Sequence, residues 1–167
     1  RTNGRGRANI VVRFKRPRAL TATAFRRAFH TGRSRVRVVQ RLYVDCSARR
    51  EGNGSRRHPW NQLARANAVL LSAGAHLMLR RGSVCPGFLA PRGSGTRRWR
   101  IVIGAYGSGP LPRIETNGAA PDAVRLADES HVMLEDLELT NHGDYLSDRR
   151  GVHVVATRPG TVRDIVI

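Results

Sequence analysis

The stretch Arg-Ile-Val-Ile-Gly-Ala-Tyr-Gly-Ser-Gly-Pro-Leu-Pro-Arg-Ile-Glu-Thr, residues 100–116, decides the fold. It holds two short apolar segments, around Ile101 and Ile114, on either side of a turn rich in glycine and proline. Short apolar segments separated by such turns are typical of β-strands. If the chain is a repeat protein, the same strand and turn pattern should return on both sides of this stretch.

Two rows of apolar segments do return at nearly constant spacing. Members of the first row follow one another after 24, 23 and 28 residues: Leu77, Ile101, Val124 and Val152. Members of the second follow after 25, 23 and 28 residues: Leu89, Ile114, Leu137 and Ile165. One repeating unit of about 23 residues explains both rows. We predict an all-β fold, a parallel β-helix of about four coils over residues 72–167, with each row in adjacent parallel strands.

A short helix is predicted before the coils, from Pro59 to Leu71. Apolar side chains recur there at helical spacing, starting from Trp60, so one face is mostly apolar. Proline suits a first helical turn because it has no N–H that would need a partner there. We expect this helix to cap the N-terminal end of the coils.

The charge of the chain is high and uneven. Thirty basic residues face 12 acidic ones, a net charge of +18, and no acid precedes Asp45. We therefore divide the chain into a basic leader, residues 1–42, disordered or non-native and without a packed core, and a folded domain, residues 43–167. Apart from Lys15 all the bases are arginines, so GC-rich coding explains them as well as a nucleic-acid arm or an organellar transit-like peptide does.

Several functional classes are disfavoured by the sequence. No apolar run approaches the roughly 18 residues of a membrane span, so we expect no membrane partner. Residues 19–29 alternate apolar with polar residues, so no signal peptide is evident. The chain begins at Arg1 and ends within an apolar strand at Ile167. We expect it to be the N-terminal part of a longer protein, truncated at its C-terminus.

A set of short motifs is distributed over residues 43–154. They are Tyr-Val-Asp-Cys-Ser (43–47), Pro-Trp-Asn-Gln-Leu (59–63), Arg-Gly-Ser-Val (81–84), Pro-Arg-Gly-Ser-Gly-Thr (91–96), Ile-Gly-Ala-Tyr-Gly-Ser-Gly-Pro (103–110), Leu-Thr-Asn-His-Gly (139–143) and Arg-Arg-Gly-Val-His-Val (149–154). As a set they resemble secreted right-handed parallel β-helix repeat proteins of the pectin-lyase-like superfamily. The resemblance implies an extracellular protein, monomeric when complete, that cleaves or binds polysaccharide on the outer face of its parallel strands.

Catalytic groups of the family, lyase or hydrolase, are not evident here. Glycoside hydrolysis requires two carboxyl groups about 5 to 9.5 Å apart. Asp136 and Glu138 would both point outward from one strand at roughly 7 Å, which makes them weak catalytic candidates. The alternative is that both are ordinary polar residues on the exposed face of a strand, with no catalytic role. No cofactor is evident, and although members of the family can bind calcium, we expect no metal site because no ligand set has suitable spacing.

The better candidate site is the insertion in the third repeat, from Asn141 to Arg150. Extra residues in a repeat protein emerge as a loop on one face, and loops carry function. The candidate substrate-binding residues are Asn141, His142, Asp144, Tyr145, Arg149, Arg150 and His153. Arginine fits the carboxylates of an acidic polysaccharide, and Tyr145 can stack on a sugar ring. The alternatives are an Asp148–Arg150 ion pair that only fixes the loop and a His153 that merely faces solvent.

Cys46 and Cys85 are the only cysteines. An even pair in a protein that the resemblance places outside the cell predicts a disulfide, with two buried thiols as the alternative. The function we expect is a fragment of a secreted, carbohydrate-active β-helix protein, with enzymatic activity left open. The alternatives are a nucleic-acid-binding protein acting through the leader and a purely structural β-helix module. Nucleic acid is disfavoured because no recognised module follows the leader.

Overall fold

The computed structural model describes residues 19–24, 32–37 and 39–167. The chain divides into two units, Arg1–Val39 and Gln40–Ile167. In the first unit β1 (Ala19–Ala24) pairs antiparallel with β2 (Gly32–Arg37). Most of the predicted leader lies outside the described residues, so its disorder stays a prediction. The predicted boundary after residue 42 falls inside a strand that begins at Arg41.

The second unit is mostly β-structure. It has one helix, α1 (Leu63–Ala68), and ten strands: β3 (Arg41–Val44), β4 (His76–Arg80), β5 (Val84–Pro86), β6 (Ile101–Tyr106), β7 (Arg113–Glu115), β8 (Asp122–Ala127), β9 (Val132–Leu134), β10 (Glu138–Thr140), β11 (Arg150–Val155) and β12 (Ile165–Val166). These strands form three parallel sheets, ordered β3-β4-β6-β9-β12, β5-β7-β10 and β8-β11. Between Ile101 and Ala127 the chain contributes one strand to each sheet in turn.

The core consists of apolar columns that run across each sheet. Alternate residues of a strand point to opposite faces, and the residues pointing inward are the buried ones. In register, the inward columns are Leu77–Ile103–Leu134, Cys85–Ile114–Leu139 and Leu89–Val124–Val152. The three columns belong to three different sheets, so the side chains of all three sheets form one core cluster.

The two predicted rows are wrong in their membership. Ile101 lies in the five-stranded sheet, whereas Val124 and Val152 pair with each other in the two-stranded sheet. From β6 to β11 the chain therefore passes twice through the three sheets, and the connections between the strands vary in length. The interval from Ile103 to Leu134 is 31 residues, but that from Ile114 to Leu139 is 25. Residues at nearly regular sequence intervals can therefore belong to different sheets, which is why neither predicted row follows a single sheet.

Helix α1 has six residues and is shorter than the helix predicted from Pro59 to Leu71. Both ends of the predicted segment are extended, because Trp60 forms a parallel bridge with Val44 and Leu70 forms one with Arg92. Trp60 also donates its N–H to the carbonyl of Tyr43 at 3.0 Å. The free edge of β3 needs backbone partners, and supplying them outweighs helix propensity at these positions.

The disulfide between Cys46 and Cys85 is confirmed. It joins the loop that follows β3 to the buried face of β5, with Cα atoms 5.1 Å apart. In the described part of the chain, no helix has the length and apolar character needed to cross a membrane.

Candidate functional site

The loop of residues 141–149 connects β10 to β11, and Asn141 anchors its start. The Asn141 side chain accepts a hydrogen bond from the Gly118 N–H at 3.1 Å. Its amide nitrogen donates to the carbonyls of Ala120 and Pro121, both at 3.0 Å. These three bonds give hydrogen-bond partners to backbone groups of the connection between β7 and β8. Asn141 therefore has a structural task in addition to the predicted contact with substrate.

Arg149 holds the loop together from within. Its guanidinium donates to the carbonyl oxygens of Tyr145 and Gly143. A Cβ atom at Gly143 would overlap that guanidinium, so a larger residue there would displace the Arg149 side chain. The donors of Arg149 that bind these carbonyls are not free to bind a ligand while the loop keeps this shape.

The tip of the loop presents two large side chains to solvent. Tyr145 is 81% exposed, and its neighbour Leu146 is fully exposed. His142 and Asp144 are also exposed. The exposed Tyr145 ring has the shape and the apolar face that stack on a pyranose ring.

The base of the loop is organised by a buried carboxylate, Asp122, at the start of β8. Asp122 is 4% exposed. It accepts hydrogen bonds from Arg150 at 3.2 Å and from Nδ1 of His153 at 3.0 Å. Burial raises the pKa of Asp122, but the hydrogen bonds from His153 and Arg150 outweigh burial and hold that pKa below its ordinary value. Asp122 thus fixes two of the predicted substrate-binding side chains in one place.

This arrangement revises both alternatives considered for the loop. The Asp148 and Arg150 charges are 3.8 Å apart, but the Asp148 side chain is 93% exposed, so Asp122 is the stronger partner of Arg150. His153 does not simply face solvent, because its Nδ1 is bound. Because Nδ1–H donates to Asp122, the second nitrogen of the neutral ring, Nε2, is an acceptor that can bind a hydroxyl of a ligand.

The catalytic candidates do not share a strand, so the predicted geometry is wrong. Asp136 precedes β10 with φ 55°, a left-handed backbone that breaks the strand alternation. Its carboxylate pairs with Arg81. Glu138 lies in β10 and accepts a hydrogen bond from Arg113 at 2.9 Å. Each carboxylate therefore has its own arginine, and a catalytic role for either stays a prediction.

A calcium site, which the resemblance allows, finds no donor set in the described segments. No group of three or more His, Cys, Asp or Glu side chains there is placed to hold a metal ion. Most of the acids are bound instead by arginine, histidine, serine or threonine. For example, hydrogen bonds from Thr157 and Thr161 lower the pKa of Asp128 to about 2.

The residue missed from the sequence is Asp122. It stands two and four positions before Val124 and Leu126, both buried, so its own position also belongs to the inward-facing set. A charged residue at a core-facing position predicts a buried ion pair, and the sequence pattern around Asp122 contains this signal. Asp164, like Asp122, binds one arginine and one histidine: it accepts hydrogen bonds from Arg100 at 3.0 Å and from Nδ1 of His131 at 2.9 Å.

Replacing Asp122 with asparagine should destabilise the domain by roughly 2 kcal/mol at neutral pH, because two hydrogen bonds to a charged acceptor are weakened. The folded-state pKa of Asp122 is below its unfolded value, so its stabilisation is present above about pH 4 and is lost as the pH falls through the folded-state pKa. Thermal unfolding of both proteins between pH 2 and 7 should show curves that converge at the acid end. A constant difference across this range would contradict the assignment.

Comparisons with known proteins find similar solved structures. No family model matches the chain, and no curated protein sequence matches it. The native crystal structure of GH136 lacto-N-biosidase from Eubacterium ramulus is 30% identical with a TM-score of 0.60 and aligns over 68% of this chain and 23% of that one. Its selenomethionine derivative gives 28% identity, a TM-score of 0.59, and coverages of 70% and 24%. The chain spans about a quarter of the length of that enzyme. The likeness supports a β-rich fold for this chain.

Proposed function

We propose that the chain is part of an extracellular, carbohydrate-active protein with a right-handed parallel β-helix of the pectin-lyase-like kind. The three parallel sheets would be the faces of about four coils, with α1 near their N-terminal end. The observation that carries the proposal is the 30% identity to a lacto-N-biosidase over 68% of this chain, at a TM-score of 0.60. The disulfide supports an oxidising, extracellular location.

The loop of residues 141–150, together with His153, is the proposed saccharide site. Tyr145 would stack on a sugar ring, with Arg150 and His153, both held by Asp122, binding hydroxyl or carboxylate groups at the loop base. His142 and Asp144 would orient further hydroxyls. Asn141 and Arg149 would act mainly by fixing the loop, because their side chains already bind its backbone. The loop is therefore prepared for a ligand before one binds.

An acidic saccharide is the preferred ligand in this proposal. Arg125 lies opposite His153 in the register of β8 and β11, and its side chain is exposed. Arg150 adds a second cation at the start of β11. Guanidinium groups bind carboxylates in a forked geometry. Exposed Asp144 and Asp148 reduce the positive charge of the loop tip, so the acidic group should bind at the base and the neutral ring face at Tyr145.

Within the proposal Asp136 and Glu138 remain the weak candidates for catalysis. Glu138 is the better placed of the two, because β10 leads directly into the loop. The Arg113 that binds Glu138 also lies 3.8 Å from Glu115, so two carboxylates share one guanidinium.

Replacing Tyr145 with alanine should weaken saccharide binding at least tenfold, because a stacking ring is lost from the loop tip. Leu146→Ala is the matched control, since it removes an equally exposed side chain from the same tip and should change affinity less than threefold. Isothermal titration with an oligogalacturonate, which is acidic, and with lacto-N-biose, which is neutral, measures both effects.

Arg150→Gln should weaken binding of the acidic ligand more than that of the neutral one. Arg149→Ala should weaken both alike, because it releases the loop carbonyls and disturbs the whole loop. Thermal unfolding of each variant establishes that the domain is still folded. If Tyr145→Ala and Leu146→Ala bind both ligands like the parent chain, the loop is structural and the site assignment is wrong.

A further inference from the structure

A second charged surface lies in the loop that follows β3, far along the sequence from residues 141–150. Four arginines of this loop are exposed and have no ion-pair partner in the described part of the chain: Arg49, Arg50, Arg56 and Arg57. We call this set the N-terminal basic loop. Glu51, the acid between the two pairs, is bound by Arg65 and Gln62. The four positive charges are therefore not compensated locally.

The backbone holds the N-terminal basic loop in a fixed shape. The Gly54 carbonyl accepts the N–H of Tyr43 at 2.9 Å, which ties the loop to the edge of β3. Both the Asn53 and Gly54 N–H groups donate to the His58 carbonyl, at 2.9 and 3.0 Å. The disulfide fixes the start of the loop at Cys46. Cations on such a loop lose less entropy on binding than cations on a flexible tail.

The two arginine pairs lie near each other. A Cβ atom at Gly52 would overlap the carbonyl oxygen of His58, so the outgoing and returning limbs are in direct contact. Arg50 and Arg57 are each within two residues of that contact, which limits their Cα separation to roughly 17 Å. The two pairs of cations therefore lie within reach of one extended polyanion.

Polar and aromatic groups extend the surface. Arg80 is held by buried Asp45 at 2.7 Å, yet the Arg80 side chain remains 56% exposed. Burial raises the pKa of the Tyr106 phenol and Asp45 adds to the effect, while the charges of Arg80 and Arg56 oppose it. The phenol is therefore a neutral hydrogen-bond donor within electrostatic reach of Arg56. Its ring packs edge-on against Tyr43, with centroids 5.0 Å apart.

We propose that the N-terminal basic loop binds an anionic saccharide, through the sulfate or carboxylate groups of a sulfated or uronic-acid polymer. Forked guanidinium donors match the planar or tetrahedral oxygens of these groups. The choice of a saccharide partner rests on the proposed function. Nucleic acid is the less suitable polyanion, because residues 45–58 contain no phenylalanine, tyrosine or tryptophan on which bases could stack, and the neighbouring Tyr43 and Tyr106 rings pack against each other.

The test compares two variants of equal charge. One replaces the N-terminal basic loop: Arg49→Gln, Arg50→Gln, Arg56→Gln and Arg57→Gln. The control replaces four other exposed arginines: Arg92→Gln, Arg97→Gln, Arg158→Gln and Arg163→Gln. Binding of a heparin oligosaccharide is measured by fluorescence anisotropy over a range of salt concentrations. The loop variant should lose at least tenfold in affinity and show a weaker salt dependence, and the control should lose less than threefold.

Equal losses in both variants would show attraction to net charge alone and overturn the proposal, as would parent-like binding by the loop variant. Duplex DNA binding more tightly than heparin through the same arginines would also overturn it. If the quadruple variant does not fold, Arg49→Gln with Arg50→Gln should still lose at least threefold. In a Tyr145→Ala background the quadruple loop variant should still lose at least tenfold in heparin affinity, so failure at loop 141–150 is distinguishable from failure here.

Discussion

Removing the Cys46–Cys85 disulfide is expected to lower the stability of the folded domain by about 4 kcal/mol, equivalent to roughly 10 °C or more in Tm. The two cysteines are 39 positions apart, so the bond restricts a long segment of the unfolded chain. In the folded state it also ties the loop after β3 to the buried face of β5. Cys46→Ala with Cys85→Ala, followed by thermal unfolding, measures the effect.

Reduction of the parent chain gives an independent control, because it breaks the bond without changing a residue. Alkylation should then label both cysteines, which are the only thiols in the sequence. The reduced parent and the double alanine variant should unfold at similar temperatures. A reduced parent that unfolds at the oxidised temperature would contradict the stabilising role of the bond.

Replacing Ile103 with alanine should destabilise the domain by about 3 kcal/mol. Ile103 is fully buried and lies between Leu77 and Leu134 in the column of the five-stranded sheet. Truncation leaves a cavity that neighbouring strands cannot close, and Ile→Ala changes of this kind typically cost 2 to 5 kcal/mol. Denaturant unfolding at constant m-value measures the change.

Val102→Ala is the matched control, because Val102 precedes Ile103 in β6 but points to the opposite, half-exposed face. Its truncation should cost about 1 kcal/mol or less. If the two variants lose equal stability, or if Val102→Ala loses more, the assignment of inward and outward faces in β6 is wrong.

The sequence predicts the class of fold well, because period-2 strands and turn residues are local features. It predicts the strand pairs poorly. Val124 and Ile101 have the same local pattern, and only the lengths of the connections place them in different sheets. Likewise, the helical spacing from Trp60 is real, but residue 60 is needed at the edge of β3. Such requirements come from distant backbone groups that a local pattern does not contain.

The candidate site shows the same division. Exposure of Tyr145 follows from the expected insertion, since added residues in a repeat leave the core. The internal use of Arg149 does not follow, because it depends on which carbonyls the folded loop turns inward. The predicted strand geometry of Asp136 and Glu138 is wrong for a related reason. Asp136 has a left-handed backbone, which breaks the strand alternation from which their separation was calculated. The buried ion pair of Asp122, by contrast, can be predicted from the sequence, because the residue occupies a core-facing position of its strand.

The most direct test of the proposed carbohydrate site is amide chemical-shift mapping on the labelled 18.5 kDa chain during titration with an oligogalacturonate. We expect the largest shifts to cluster in residues 141–153 and at Asp122 and Arg125 of β8, which pair with Arg150 and His153 of β11. The side-chain signals of His153 should shift with the same saturation curve. Saturable shifts confined to other parts of the chain, with residues 141–153 unchanged, would contradict it.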